Sequence, residues 1–151
     1  MDAVTGSGTP PEEPALAAEL GLQPHPEGGW YRRLWTAAEE VVTARGPRAA
    51  ATAIHYLLAP GERSRWHRVA SDELWLWQHG GPLVLTHAPG PGHGQEVTAV
   101  LGAGDRPGTD LWALVPAGRW QTARPAGTEP VLLTCVVAPG FDWRDFTLAE
   151  R

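Results

Sequence analysis

Glycine and proline interrupt this chain so often that no long regular element fits between them. The 151 residues include 18 Gly and 15 Pro. Turn signals such as Pro60-Gly61, Gly81-Pro82 and Pro139-Gly140 return about every 8–12 residues, the spacing of an all-β sandwich or barrel. The segments left between them are short and alternating. Glu73, Trp75, Trp77 and His79 fall on one side of such a run, and Leu74, Leu76 and Gln78 on the other. A period of two is a strand signal, because successive side chains point to opposite faces.

The predicted strands are Trp30 to Trp35, Ala50 to Leu58, two within 61–80, Leu83 to Ala88, Gln95 to Leu101, Leu111 to Val115, Arg119 to Ala123 and Val131 to Val137. The segment FDWRDFTLAER reads as a final strand or a helical turn, and 45–48 as a loop. One helix is predicted, Pro14 to Leu20, with Pro at its start and Gly21 after its end. Residues 1–13 read as a disordered tail and 14–151 as one domain without repeats.

Composition excludes several classes of function. The net charge is −5, from 12 basic and 17 acidic residues, with no basic cluster, so no nucleic-acid partner is expected. All basic residues are arginine, which removes Schiff-base chemistry on lysine. Arginine without lysine in an Ala/Gly/Pro-rich chain is what a GC-rich bacterial genome encodes. The single Cys135 cannot form an internal disulfide, which suits a cytoplasmic location. No apolar run reaches the roughly 18 residues of a membrane span, and the N-terminus has no secretory pattern.

The stretch GERSRWHRVASDELWLWQHG (61–80) carries the chemistry. It sets His67 and Glu73 on neighbouring strands beside two indoles, Trp75 and Trp77. A carboxylate among aromatic walls needs a partner, so a pocket is expected here. His55, in AIHYLL (53–58), joins that pocket if its face of the strand is the inner one. By default, a His in an apolar strand is a satisfied core residue. Tyr56, on the other face, is a further candidate. His25 and Glu27 belong to an HPEGG turn, read as turn chemistry with a polar lip over the pocket as the functional alternative. His87, His93, Asp142, Arg144 and Asp145 read as solvated.

Two spacings give these residues a frame. Gly61, five residues, His67, Arg68, Val69, three residues, Glu73, six residues, Gly80 is similar to the first cupin motif, with Val69 where a second His is usual. Pro116-Ala117-Gly118, two residues, Gln121 resembles the end of the second motif, with Gln for His. Five pieces in order, HPEGGWYRR (25–33), AIHYLL (53–58), SRWHRVASDELW (64–75), LVPAGRWQTA (114–123) and VAPGFDWRDFTLA (137–149), resemble the DUF985, or cupin 5, family. The resemblance implies a double-stranded β-helix, a jelly-roll-like barrel, assembled as a homodimer.

In cupins with the full motif, His and Glu bind a metal with two further His. Here a metal would have His67, Glu73 and Gln121. Without one, Glu73 orients His67 as a proton carrier, His55 is a second carrier, and Gln121 with Arg119 or Arg65 positions an oxygen or anion of a small-molecule substrate beside Trp75 and Trp77. That reading, an isomerase, epimerase, cyclase or lyase without cofactor, stands against a metal-dependent cupin and a module that only binds a metabolite.

Overall fold

The computed structural model describes residues 12–92 and 94–150. Most of the expected tail, and His93, lie outside the described residues; Glu12 and Glu13 are exposed and irregular. The helix α1 spans Ala15–Leu20 and stops at Gly21, whose φ of 67° is left-handed.

Thirteen strands follow: β1 (Gln23–Pro24), β2 (Trp30–Thr36), β3 (Glu40–Thr43), β4 (Gly46–Ala49), β5 (Thr52–Leu58), β6 (Ser64–Val69), β7 (Asp72–Gly80), β8 (Leu83–Ala88), β9 (Val97–Leu101), β10 (Trp112–Val115), β11 (Trp120–Pro125), β12 (Val131–Ala138) and β13 (Phe146–Leu148). Eleven of them form a six-stranded sheet in the order β1-β2-β5-β12-β7-β10 and a five-stranded sheet in the order β13-β6-β11-β8-β9. This is the expected all-β barrel, with one short helix.

Two local outcomes differ from expectation. The segment 45–48 is not a loop, because β3 and β4 form a separate hairpin. Pro47 lies within β4, and proline is tolerated there because the strand has only one neighbour. The C-terminal segment is both alternatives at once: a 3₁₀ turn at Trp143–Asp145, then β13 along β6.

The barrel interior is packed at one end and open at the other. Along β5, Tyr56 and Leu58 join the core while Thr52 and Ile54 face a cavity. Along β12, Val131 and Leu133 are core, and Cys135 and Val137 reach the cavity. On β7, Glu73 lines the cavity and Trp75 is core. Each strand thus runs from a polar, open end to an apolar, filled one. A second core forms on the outer face of the six-stranded sheet, where Ala17 and Leu22 meet Trp30, Leu57 and Leu132. Among the described residues no helix is long and apolar enough to cross a membrane.

Candidate functional site

The cavity holds about 340 Å³, near the lower end of small-molecule sites. Its sheet wall is formed by Tyr31, Arg33, Ile54, Glu73 and Cys135. His67 and Val69 of β6 stand opposite, and Phe141, Trp143 and Phe146 close one side.

The HPEGG turn supplies the remaining wall, His25 and Glu27. Gly28 and Gly29 have φ of 105° and 75°. A Cβ on Gly28 would stand 2.2 Å from the Arg63 carbonyl oxygen, and one on Gly29 2.8 Å from that of Leu57. Only glycine lets the turn press this close. The Tyr56 hydroxyl donates to the Gly28 carbonyl and Arg65 N–H to that of Glu27, at 2.5 and 2.7 Å. The turn is thereby fixed with the Glu27 side chain pointing inward.

Glu27, not Glu73, is the partner of His67. Its Oε2 lies 2.6 Å from His67 Nδ1 and accepts from the Ser64 hydroxyl at 2.8 Å. His67 Nδ1 also faces the Arg65 carbonyl at 2.7 Å. Two acceptors at one ring nitrogen place a proton on it. Burial works against charge on both residues. Their mutual attraction and hydrogen bond outweigh it, lowering Glu27 and raising His67 from their ordinary pKa values. His25 is held the other way: burial lowers its pKa against the pull of Glu27, and its Nδ1 accepts from Glu27 N–H at 3.1 Å.

Glu73 has different company. Gln121 Nε2 donates to its Oε1 at 2.8 Å, and Gln121 Oε1 accepts from Trp75 Nε1 at 2.9 Å. An indole N–H can only donate, so Trp75 fixes the amide with its N–H₂ toward Glu73. Cys135 lines the cavity with Glu73. Burial raises Glu73 to about pKa 7, against the pull of His67, with the Glu27 charge adding to the rise. The two buried carboxylates of the cavity are thus pushed in opposite directions, Glu27 toward its ionised form and Glu73 toward its protonated one.

A β-bulge explains the clustering on β6. Gln121 pairs with His67 but Ala123 with Ser64, so the register shifts between them. One residue extra lets Ser64 and His67 both face inward. Strict alternation would put Arg65 on the His67 face. Instead Arg65 Nη2 donates to the Ala149 carbonyl at 3.3 Å, outside the cavity.

The structure brings together His67 and Glu73 across one cavity, with Gln121 and then Trp75 behind Glu73. It separates the others. His55 lies on the outer face of β5, opposite Arg32 and Thr134, because the Ile54–Tyr56–Leu58 face is the inner one. Tyr56 is inward but buried in the core. Trp75 is 1% exposed; it and Trp77 pack in the filled end of the barrel, and Trp77 Nε1 donates to the Gly81 carbonyl. Arg119 Nε donates to His87 Nδ1 at 2.7 Å, away from the cavity. Asp145 is no surface charge: its side chain is 3% exposed, held by Arg48 and Arg45.

Sequence reasoning takes Glu27 as turn chemistry and does not single out Cys135, Arg33, Tyr31, Phe141 or Trp143 for the site. The double glycine after Glu27 is the available signal, since it marks a backbone that must approach another closely.

The donor set does not fit a transition metal. His67 supplies one imidazole at the motif positions, burial shifts Glu73 toward its protonated form, and Gln121 turns its N–H₂ rather than its oxygen toward Glu73. Val69 stands in the cavity wall where the motif's second His is usual. Among the described residues no group of three His, Cys, Asp or Glu side chains is placed to hold a metal ion.

Comparison with known proteins agrees with this fold. A hypothetical protein from Leishmania major is 32% identical with a TM-score of 0.80, over 89% of this chain and 85% of that one. A Shewanella oneidensis protein is 31% identical with a TM-score of 0.80, over 89% and 82%. A single-residue variant of Bacillus subtilis oxalate decarboxylase is 17% identical with a TM-score of 0.60, over 83% of this chain but 29% of that one; it shares the fold alone. No curated protein matches. The family model Cupin_5, described as Cupin superfamily (DUF985), matches residues 14–149, and the chain belongs to that family.

Proposed function

We propose that this protein is a small-molecule enzyme of the isomerase, epimerase, cyclase or lyase kind, moving a proton on a substrate held in the barrel cavity. The observation that carries this reading is the placement of Glu27 and Glu73 around one cavity with His67, one carboxylate paired with the imidazole and pushed toward its ionised form, the other raised to about pKa 7. Environments that push two acids apart in this way supply an acid and a base at the same pH.

In this reading Glu27 is a positioning residue. It fixes the His67 tautomer and supports the imidazolium. Glu73, when ionised, takes a proton from carbon beside a carbonyl. The second ring N–H of His67 supports the charge that grows on the carbonyl oxygen. Return of a proton from Glu73 to the same carbon or its neighbour gives the epimer or isomer. Gln121 keeps the Glu73 carboxyl aimed. The apolar and aromatic walls keep water from competing.

Deuterium wash-in tests the reading. A panel of small ketones and keto acids in D₂O is followed by proton NMR. The wild type is expected to accelerate exchange at a carbon beside the carbonyl. Glu73→Gln and His67→Gln are expected to stop it while leaving binding intact, read from the fluorescence of Trp143, which is 46% exposed at the cavity mouth. Binding without exchange in the wild type would leave a metabolite-binding module instead.

A further inference from the structure

The charges of the cavity point to the class of molecule that enters it. Glu27 is answered by His67 and Glu73 by the Gln121 amide, while His25 accepts a backbone N–H at Nδ1. Arg33 is left over. Among the described residues that line the cavity, it is the one cationic side chain in no ion pair, and its one hydrogen bond runs from Nη1 to Thr36 Oγ1 at 3.1 Å. The register fixes its direction. Arg33 pairs with Ile54 and Tyr31 with Tyr56, so both share the inner face, and Arg33 is exposed where that face meets solvent.

Position adds a length. Arg33 is on β2 and Glu73 on β7, with β5 and β12 between them. Three strand spacings put those backbones roughly 14 Å apart. The gap is walled by rings: Tyr31 and Trp143 lie 6.3 Å apart by centroid and Phe141 and Trp143 4.9 Å. A guanidinium binds a carboxylate through two parallel hydrogen bonds, and aromatic walls favour a flat body.

We infer that the substrate is a small organic monoanion whose carboxylate docks on Arg33 at the cavity mouth, with a flat or apolar body among Tyr31, Phe141 and Trp143 and its far end at His67 and Glu73. The inference rests on the proton-transfer reading only for which end reacts. Arg33 sets which molecules enter.

The test uses benzoate, cyclohexanecarboxylate and phenylpyruvate against benzamide as the neutral isostere, titrated calorimetrically into the full chain. At least one acid is expected to bind saturably and about tenfold or more tighter than the amide, the scale of a charge-assisted hydrogen-bonded pair. Arg33→Gln is expected to remove that preference and leave benzamide binding unchanged. Equal binding of acids and amide, equal binding by wild type and Arg33→Gln, or no saturable binding by any of the three acids overturns the inference. Acids that bind through Arg33 with no catalysed exchange would remove the proton-transfer reading and leave the anion site standing. Exchange on neutral ketones without acid preference would do the reverse.

Discussion

Glu27, on the turn before β2, and His67, on β6, stand 2.6 Å apart from carboxylate oxygen to Nδ1, so one buried ion pair ties the six-stranded sheet to the five-stranded one. Removing one member leaves the other charged without a partner. Glu27→Gln is expected to lower the unfolding free energy near pH 6 by about 3–5 kcal/mol, measured by urea denaturation. NMR titration should show His67 losing its raised pKa in the same variant. A stability loss well under about 1 kcal/mol would mean that the pair carries no charge.

Glu73 gives the stability a slope in pH. Its pKa rises from 4.5 to about 7 on folding, so the folded state binds the proton more tightly than the unfolded chain does. This share of stability is present below pH 4.5 and lost as pH rises toward 7. Glu73→Gln is expected to flatten that part of the profile, worth about 3 kcal/mol, when Tm is followed from pH 4.5 to 7.5 against the wild type. His67, raised above 6.5, loses its own share at higher pH. Glu27, lowered below 4.5, loses its share on acidification. Both of those remain in the Glu73→Gln profile.

The barrel was legible because its evidence is local: turn residues at short intervals and alternation between them. That His67 and Glu73 share a cavity was legible because one motif spacing holds both. What could not be read was which strand face is inward and where alternation breaks. The bulge between Ser64 and His67 moves Arg65 out of the cavity, and no residue type in SRWH announces it. Trp75 and Trp77 share a face with Glu73, but a strand that runs from an open end to a packed one gives its face two fates. Glu27 meets His67 only through the fold, so sequence neighbours could not disclose the pair.

The metal question has a direct measurement. Wild-type protein purified without a chelating tag and dialysed is expected to retain no stoichiometric divalent metal by elemental analysis. The double variant Val69→His/Gln121→His, which supplies two imidazoles beside His67 and Glu73, is expected to bind one Co²⁺ per chain with a visible d–d band. Stoichiometric metal in the wild type that is lost in His67→Ala would show that the hydrogen bonds described for Gln121 rearrange on binding.

The aromatic side of the cavity is latched by Asp145. Arg48 donates from Nε and Nη2 to its two carboxylate oxygens at 2.8 and 3.0 Å, and Arg45 Nε lies 3.1 Å away. Asp145→Asn is expected to lower Tm and to speed amide hydrogen exchange across 141–148, while amides of β5 keep their protection. The Asp142–Arg144 pair is exposed by comparison, and Asp142→Asn is expected to change neither. Equal exchange in wild type and Asp145→Asn would show that Phe141, Trp143 and Phe146 hold their places by packing alone.

The order of strands also sets the order in which the molecule can be made. β12 lies between β5 and β7, with Cys135 beside both Ile54 and Trp75. A ribosome therefore releases β5 and β7 well before the strand that joins them exists. Until residues 131–138 have emerged, the inner face of β5 has no neighbour on one side, and Glu73 sits in water with an ordinary affinity for its proton. The acid of the site is tuned only when the sheet is completed, so a nascent chain halted before Val131 would carry the two motif residues without the cavity that gives them their chemistry.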